Sequence, residues 1–561
     1  MDGWSAQHQK LALAAAAAVG LGVAVAFMKD RRAGERFKTV KERESTKFHV
    51  RRNTSQAHLA SGAYTKRENL SPGNRERTDS SDPRDHPEGL NVGFGSSPSW
   101  TDPKARDSIP VTTDMMSHEE PKLVIVMLGF PGSGKTNIAM KVARYLRWNS
   151  YRCRVFSLAK YRLDKVGNKS ADFFDPENTE YVAQRQEIMK CVVEDAIRYM
   201  KRGGNVVVID GTNTTRARRE TIRSMLDSEP DKYRLLFIET KQGGDSSVLQ
   251  RNVSDDTLDD LLTSPDFLDQ EDYEKRLAYY KKGYEPLADE EGSSITIMHG
   301  EKRLVLHQIF GFIPTKIVSF VMNLHKQPRT IYLCRHGESE FNARGLIGGD
   351  TGLTPRGQEF SSALAAHMAT LYPKGTSATE GDLTVWTSIM RRARDTASQI
   401  QSTNYMEWRL LRDLEVGTCD GLSYKQIQVM FPEEYRQREQ DKLRYRYPRG
   451  ESYLDLINRL EPLIFEIERQ RKPVVVVAHQ AVLRCLYAYF LDLPENMLPH
   501  LSIPLHTIIK LEPAAHGCKE KRLRFVLDAD NGTFDVPTRE RAHSSWEKYH
   551  MQSGESVTGT H

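Results

Sequence analysis

The stretch VIVMLGFPGSGKTNIAM, residues 124–140, joins an apolar run to a helix-like run through a glycine-rich loop. Within it, Gly129, Gly134, Lys135 and Thr136 fit the pattern G-x-x-x-x-G-K-[ST], with a β-like segment before it and an amphipathic segment after it. Glycines let the backbone N–H groups of such a loop turn onto phosphate, while the lysine reaches the outer phosphates and the threonine hydroxyl ligates Mg²⁺. The stretch therefore predicts a P-loop and a nucleoside triphosphate site.

A second apolar run, NVVVID at residues 205–210, ends in an acidic residue. Sites of this kind place a carboxylate near the metal, so we predict Asp210 and Thr136 as the Mg²⁺ ligands. The residues predicted to hold the nucleotide are Gly129, Gly132, Ser133, Gly134, Lys135 and Thr136. Lys135 and Asp210 are the predicted catalytic residues of this half of the chain.

The composition excludes some classes of protein. The chain has 561 residues, enough for two to four domains, and is 39% hydrophobic and 28% charged, as in soluble globular proteins. Its 80 basic and 75 acidic residues give a net charge of +5, which argues against a strongly basic nucleic-acid binder. The six cysteines are scattered with no CxxC pair, which favours reduced thiols in a protein that faces the cytosol.

The amino-terminal run from Leu11 to Met28 is uncharged and is followed at once by KDRR. Eighteen such residues just suffice to cross a bilayer, and the basic flank would keep the rest of the chain in the cytoplasm. Alanine contributes little insertion energy, so three interpretations stay open: a membrane anchor over residues 1–28, a targeting peptide, and an alanine-rich soluble helix.

Short apolar runs alternate with helical patterns through most of the chain, which predicts two successive α/β domains. We place the first at residues 120–324 and the second at 325–540. Residues 29–119 are rich in Arg, Lys, Ser, Asp, Gly and Pro, and predict a disordered extension because they cannot bury enough apolar surface. Residues 541–561 are predicted to be a flexible tail.

The second domain carries RHGESEFN after an apolar run, and the triplet of Arg335, His336 and Gly337 is typical of histidine phosphatases and phosphoglycerate mutases. A neutral imidazole can take a phosphoryl group if cations stabilise the phosphoryl oxygens. We predict His336 as the nucleophile. Arg335, Arg392 and His479, the last in VVVVAHQ, complete the pocket with help from Asn342.

Hydroxyl, amide and guanidinium groups follow Asp210 in DGTNTTRARR, and they suit a sugar phosphate. With the P-loop and the RHG triplet, they make the chain resemble the bifunctional 6-phosphofructo-2-kinase/fructose-2,6-bisphosphatase family over residues 120–540. The resemblance implies a P-loop kinase domain followed by a histidine phosphatase domain of phosphoglycerate mutase type. It also implies that fructose 6-phosphate is held by Arg162, Arg185, Thr212, Arg218, Arg276 and Tyr280, with Asn252 beside the nucleotide.

For the second half, the resemblance implies a general acid in the stretch LRDLEVG. Aligning this stretch with the family puts Asp413 at the position of the acid, and Glu415 follows two residues later. Arg438 and Lys442 stand four residues apart, so we expect them on one face of a helix. The residues that resemble contacts to the sugar and its second phosphate are Tyr424, Arg438, Lys442, Tyr453, Gln480 and Arg484.

The function implied is that of a cycle enzyme that synthesises fructose 2,6-bisphosphate with MgATP and hydrolyses it without a metal, thereby controlling glycolysis and gluconeogenesis. The implied binding partners are sugar phosphates, and no nucleic acid is expected to bind. Formation of a homodimer is implied only by the resemblance to the family. One departure matters: the family has a lysine shortly before an SSPD-like segment, whereas here no basic residue lies between Arg251 and Lys275. Losing such a cation could cost on the order of 10²-fold in rate.

Two alternatives stay open. One is a fructose-2,6-bisphosphatase with an inactive nucleotide-binding kinase domain, or a membrane-tethered binding protein that senses nucleotide. The other is a polynucleotide-end-processing kinase/phosphatase, which would need a basic track with aromatic platforms for the strand.

Overall fold

A computed structural model describes residues 122–241, 270–298, 303–325, 328–373, 383–514, 517–527, 534–535 and 541–544. The predicted anchor at residues 11–28, the linker at 29–119 and Asn252 lie outside these residues. No helix in the described ranges combines the length and the apolar character needed to cross a bilayer.

The first domain is built on a six-stranded sheet in the order β2-β3-β1-β4-β5-β6. Its strands are β1 (Lys122–Gly129), β2 (Cys153–Ser157), β3 (Val206–Asp210), β4 (Tyr233–Lys241), β5 (Ser294–Met298) and β6 (Arg303–His307). Its helices are α1 (Lys135–Trp148), α2 (Leu158–Val166), α3 (Thr179–Lys201), α4 (Arg216–Asp227), α5 (Gln270–Lys282) and α6 (Phe312–Val321). Strands β1 to β5 pair in parallel and β6 joins antiparallel.

The near-continuous burial of β1 and β3 reflects helices on both faces of a parallel sheet. On one face, α1 buries Ile138, Val142 and Leu146, which are spaced four residues apart as the sequence pattern predicts. Because β1 and β3 are parallel neighbours, their carboxyl ends bring the loop after Gly129 close to Asp210.

The second domain has an eight-stranded sheet in the order β13-β12-β11-β7-β10-β8-β9, with β14 beside β12. Its strands are β7 (Ile331–Arg335), β8 (Thr384–Ser388), β9 (Asn404–Trp408), β10 (Val474–Ala478), β11 (Thr507–Ala514), β12 (Gly517–Phe525), β13 (Phe534–Asp535) and β14 (Arg541–Ser544). Its helices are α7 (Glu340–Arg344), α8 (Pro355–Leu371), α9 (Arg391–Ala397), α10 (Tyr424–Met430), α11 (Pro432–Gln440), α12 (Tyr453–Arg469) and α13 (Gln480–Phe490).

Three parallel neighbours, β7, β10 and β8, end on the same edge of this sheet. Arg335 at the end of β7 is in register with Ala478 at the end of β10. The main-chain N–H of His336 donates to the main-chain carbonyl of Ala478 at 3.0 Å. The register therefore places His336 and His479 side by side, as expected for a site at the carboxyl ends of parallel strands.

Two expectations about local structure are corrected. Arg541–Ser544, which we predicted to be part of a flexible tail, forms β14 and pairs antiparallel with β12. The pairing uses main-chain hydrogen bonds on a sheet edge, which composition does not signal.

The second correction concerns Arg438 and Lys442, which do not share a helical face. Helix α11 ends at Gln440. The Asp441 carboxylate accepts the N–H groups of Leu443 and Arg444, both at 3.1 Å, and this turn carries Lys442 off the helix. The two cations instead meet on Glu439, at 2.6 Å from Arg438 Nη1 and 3.2 Å from Lys442 Nζ.

The domains meet through the P-loop helix α1 and helices α12 and α13 of the second domain. Tyr145 lies against Phe465 of α12 with ring centroids 5.7 Å apart, and Trp148 meets the edge of the Tyr489 ring, also at 5.7 Å. The Trp148 indole Nε1–H also donates to the carbonyl of Cys485 at 3.0 Å. These contacts join the two catalytic halves through one continuous apolar cluster.

A charged group lies inside this interface. The wholly buried Glu468 on α12 is bound by Lys141 at 3.5 Å, Arg144 at 3.0 Å and Arg329 at 2.8 Å, and it accepts the Tyr489 hydroxyl at 2.8 Å. Burial alone would raise the pKa of Glu468, but the three cations hold it well below its usual value. The glutamate is therefore the anion that lets three cations stay in a dry interface.

Replacing Glu468 with glutamine should destabilise the protein by about 3–5 kcal/mol, because the cations would lose their buried counter-charge. The midpoints of thermal and urea unfolding measure this change. Glu466→Gln on the same helix is the matched control, since it affects only the pair with the exposed Arg469 and a hydrogen bond from the Gln470 amide, a surface pair being worth at most about 1 kcal/mol. Equal effects of the two substitutions would contradict the account of the interface.

Candidate active sites

The glycine-rich loop has the backbone that its sequence predicts. Gly132 and Gly134 adopt φ of 73° and 87°, in the left-handed region that favours glycine. A Cβ on Gly129 would lie 2.2 Å from Thr240 Oγ1, so this glycine is required by close packing against β4. Ser133 Oγ and Thr240 Oγ1 are hydrogen-bonded at 2.6 Å, which ties the loop to that strand.

Lys135, Thr136 and Asp210 come together below the loop. Thr136 Oγ1 donates to Asp210 Oδ2 at 3.0 Å, and Lys135 Nζ donates to the Phe130 carbonyl at 3.2 Å. Burial lowers the pKa of Lys135, and the nearby Asp210 opposes that effect. A hydroxyl and a carboxylate are hard oxygen donors, and the pair fits a Mg²⁺ ion whose other ligands would be phosphate and water.

Four of the arginines predicted to hold a sugar phosphate meet around an aromatic platform. The guanidinium carbon of Arg276 lies 4.6 Å from the ring centroid of Phe174, that of Arg162 lies 5.1 Å from it, and the ring of Tyr280 lies 5.7 Å away. Arg185 donates to the Phe173 carbonyl and to the Asp175 carbonyl, the latter at 3.2 Å. Burial lowers the pKa of Arg218, and the charge of the nearby Arg185 adds to that effect while Tyr280 opposes it.

The electrostatics of this arginine cluster point to an anion. Burial lowers the pKa of all four arginines, that of Arg162 to about 10 with Arg276 adding to the effect. Asp272 pairs with Arg276 at 2.7 Å, while Arg218 Nε is buried with no hydrogen-bond partner among the described residues. Concentrating two buried and two half-buried cations in this way is unfavourable unless a ligand such as phosphate neutralises them.

Helix α5 connects the arginine cluster to the P-loop. Tyr273, one turn before Arg276, donates its hydroxyl to the Pro131 carbonyl at 3.3 Å. Thr212, the remaining predicted sugar ligand, accepts the Gly129 N–H on its carbonyl at 3.1 Å. The cluster and the nucleotide loop are therefore neighbours, as phosphoryl transfer between two bound substrates requires.

In the second domain, the hydrogen bonds of His336 define its tautomer. Its Nδ1 lies 2.7 Å from the Gly337 carbonyl, which can only accept, so Nδ1 carries the proton. Arg392 Nε donates to Nε2 at 3.1 Å, consistent with a lone pair on that nitrogen. His336 thus presents the Nε2 lone pair of a neutral imidazole, which is what the predicted nucleophile needs.

The remaining predicted catalytic groups surround this nitrogen. The rings of His336 and His479 are 5.1 Å apart, and His479 Nδ1 lies 3.5 Å from Asp413 Oδ2. Arg392 Nη2 donates to the same Asp413 oxygen at 2.9 Å. Burial lowers the pKa of the nearby Arg335 to about 10, against the opposing effect of Asp413.

The pH dependence of phosphohistidine formation should reflect the environment of His336. Burial, followed by His479, Arg392 and Arg335, lowers the pKa of His336 well below its usual value, so the neutral nucleophile persists as the pH falls. In rapid-quench measurements with p-nitrophenyl phosphate, we expect no loss of nucleophile through the ordinary histidine pKa of about 6.5. A protonation step centred there would contradict the geometry of the pocket.

The family models agree with this division of the chain. Residues 111–328 match 6-phosphofructo-2-kinase, and residues 331–525 match histidine phosphatase superfamily branch 1. The chain is 42% identical over 425 residues to human 6-phosphofructo-2-kinase/fructose-2,6-bisphosphatase 4, an alignment covering 74% of this chain and 87% of the human one. The chain belongs to the 6-phosphofructo-2-kinase/fructose-2,6-bisphosphatase family.

Two other family members give comparable alignments. The rat enzyme 6-phosphofructo-2-kinase/fructose-2,6-bisphosphatase 1 is 40% identical over 424 residues, covering 74% of this chain and 87% of the rat one. The Arabidopsis thaliana enzyme is 42% identical over 420 residues, 73% of this chain, but this alignment spans only 54% of that longer protein. The prediction of a kinase domain followed by a histidine phosphatase domain is confirmed, and such a kinase domain implies the use of ATP and sugar phosphates.

A second basic group lies among the residues predicted to contact the sugar and its second phosphate. Arg438 stacks over Tyr424 at 4.4 Å and donates to the hydroxyl groups of Tyr424 and Tyr447. Arg484 donates to the Tyr453 hydroxyl at 2.9 Å. Gln480 is half-buried at the first residue of α13.

Asn342 also has a structural role in this family member. Its amide oxygen accepts the N–H and hydroxyl of Ser339, at 3.2 and 3.0 Å, and so caps α7. The amide nitrogen is then the group that can face a phosphoryl oxygen.

Several residues in the phosphatase pocket were not predicted. Ser388 Oγ lies 2.9 Å from His479 Nε2, and Thr396 Oγ1 accepts the Gly337 N–H at 2.8 Å. Ser388 ends β8, so its position at the carboxyl end of a parallel strand was an available signal. Glu415, the alternative acid, pairs with Arg412 at the surface, whereas Asp413 faces the histidines.

Proposed function

We propose that this chain synthesises fructose 2,6-bisphosphate from fructose 6-phosphate and ATP, and hydrolyses it back to fructose 6-phosphate and phosphate. The observation that carries the proposal is the pairing of a P-loop beside an arginine cluster with a two-histidine pocket on a separate sheet. The ratio of the two activities would set the level of a glycolytic signal.

In the kinase half, the arginine cluster binds the 6-phosphate, and the 2-hydroxyl oxygen attacks the γ-phosphorus of ATP. The bond from that phosphorus to the β–γ bridging oxygen breaks, ADP leaves, and the hydroxyl proton passes to solvent water. Lys135 stabilises the charge on the transferring group. Thr136 and Asp210 would hold Mg²⁺, which neutralises charge on the outer phosphates when it is bound.

In the phosphatase half, His336 Nε2 attacks the 2-phosphorus while Arg335, Arg392 and His479 bind its oxygens. The phosphorus–oxygen bond to the sugar breaks, and the departing oxygen takes a proton from the carboxyl group of Asp413, the proposed general acid. Asp413 then takes a proton from the water that attacks the phosphohistidine, which releases phosphate and restores the free histidine. The group near the 6-phosphate comprises Tyr424, Arg438, Lys442, Tyr453, Gln480 and Arg484.

The test is to incubate the purified full-length chain with γ-³²P-ATP and fructose 6-phosphate, and separately with fructose 2,6-bisphosphate. We expect an acid-labile labelled sugar bisphosphate in the first assay and fructose 6-phosphate with phosphate in the second. If the chain binds ATP but transfers no phosphoryl group to the sugar, we would conclude that it is a phosphatase with an inactive kinase domain. Salt-sensitive oligonucleotide binding with transfer to a polynucleotide end would instead support the end-processing alternative.

We also propose a homodimer paired through the kinase domains. The edge strand β6, the turn after it and the first residue of α6 expose apolar side chains: Val305, Leu306, Phe310 and Phe312 are 40%, 46%, 65% and 55% exposed. Unpaired sheet edges with apolar surface favour association with a second copy. Sedimentation of wild type and Phe310→Asp tests this, and a monomeric wild type would refute it.

The proposed location is the cytoplasm for both catalytic domains, with residues 11–28 as a membrane anchor. Fractionation of the full chain against a version lacking residues 1–28 tests the anchor. An unchanged distribution after the deletion would exclude it.

A further inference from the structure

The loop that carries Asp413 is bound to helix α12 by one arginine. Arg459 Nη1 donates to the carbonyls of Leu410 and Arg412 at 2.8 and 2.9 Å. Its Nη2 donates to the Asp413 carbonyl at 3.1 Å. Three main-chain acceptors within four residues are thus held by a single guanidinium group.

The same arginine is itself fixed by a carboxylate. Glu451 accepts Arg459 Nε and Nη2, both at 2.9 Å, in a bidentate pair whose side chains are each 15% exposed. Glu451 also accepts the Glu415 N–H at 3.0 Å, and its own N–H donates to the Glu415 carbonyl at 2.8 Å. The Arg459–Glu451 pair is therefore hydrogen-bonded to the loop on both sides of Asp413.

All five N–H donors of the Arg459 guanidinium are used in these contacts. Lysine offers three donors on a rotating ammonium group and has no planar fork, so it cannot reproduce this arrangement. A residue needed only to fill space would not require five aligned donors. The donor geometry indicates a role in fixing the course of the loop.

The position of this loop determines where the carboxyl group of Asp413 lies. Asp413 Oδ2 must lie near the oxygen that leaves when His336 is phosphorylated. Because the aspartate side chain is short, its carboxyl group can reach that oxygen only if the main chain is correctly placed. A misplacement of about 1 Å can cost 10²-fold in rate. We propose that Arg459, held by Glu451, is a positioning residue that fixes Asp413 for proton transfer to the leaving oxygen.

This inference rests on the proposed role of Asp413 as the acid, and substrate chemistry can test both. Fructose leaves as an alkoxide that needs the proton, whereas nitrophenolate leaves p-nitrophenyl phosphate without one. Rapid-quench burst kinetics measure phosphohistidine formation from each substrate before water attacks. Loss of acid positioning should slow the first substrate selectively, by about 10²-fold, because general acids contribute at least that much.

The variants are Arg459→Met, Arg459→Lys and Asp413→Asn, with Arg469→Met on the same helix as control because Arg469 is exposed and pairs only with Glu466 in the described structure. We expect Arg459→Met and Asp413→Asn to slow the sugar substrate and largely spare the aryl phosphate, with Arg459→Lys intermediate. Retained kinase activity shows that each variant is folded. Glu451→Gln, with the same selectivity and a smaller loss, serves if Arg459→Met does not fold.

The outcomes separate the two claims. If Asp413→Asn slows both substrates equally, Asp413 is not the acid and both claims fail. If Asp413→Asn is selective but Arg459→Met slows both substrates equally, or slows neither, only the positioning role is overturned.

Discussion

His336→Ala should abolish hydrolysis of fructose 2,6-bisphosphate and leave its synthesis intact, so that the product accumulates. Removing the nucleophile of a covalent mechanism costs at least about 10⁴-fold in rate. The kinase should be unaffected, because its site lies on a different sheet from β7, which positions His336. Phosphate release and labelled product are measured in parallel on the same preparation.

The control for this substitution is His500→Ala, because His500 is exposed on the same domain. It should change neither activity. Substantial hydrolysis by His336→Ala would show that another group takes the phosphoryl, and the two-histidine pocket would lose its assigned chemistry.

Lys135→Met should lower phosphoryl transfer from ATP on the order of 10²- to 10³-fold, because it removes a preorganised cation beside the transferring group. Burial already lowers the pKa of Lys135, so the site disfavours its charge until phosphate arrives. Transfer to fructose 6-phosphate is measured at saturating ATP, to separate the rate from binding.

Lys190→Met on the exposed side of α3 is the matched control for the loss of a lysine. Hydrolysis by the Lys135→Met protein should match that of wild type. A full rate of transfer without Lys135 would mean that the nucleotide is held elsewhere than on this loop.

Much of the fold follows from local sequence patterns. The glycine-rich loop between an apolar run and an amphipathic run predicts β1, the loop and α1, because each feature depends on residues close together in the chain. His336 and His479 were predictable for the same reason, since each directly follows a short strand made mostly of apolar residues.

Other features depend on packing between distant segments. Arg162 and Arg276, which are more than 100 residues apart in the sequence, both lie against the ring of Phe174. Nothing near Phe174 in the sequence predicts these two contacts. Lys442 left the predicted helix because the Asp441 side chain competes for main-chain N–H groups. Arg459 reaches the Asp413 loop across about 46 residues, a contact that no periodic pattern encodes.

The central claim is that two independent sites on one chain make and break the same phosphoester. The most direct test is the steady release of ADP and phosphate when the full-length protein is given ATP and fructose 6-phosphate. Wild type should release both continuously. His336→Ala should release ADP only until the sugar is converted, and no phosphate, while Lys135→Met should release almost none of either. Mixing the two variants should restore continuous release, because the product diffuses between them. Continuous ATP consumption by His336→Ala, or a mixture that releases no phosphate and stops once the sugar is converted, would contradict the cycle.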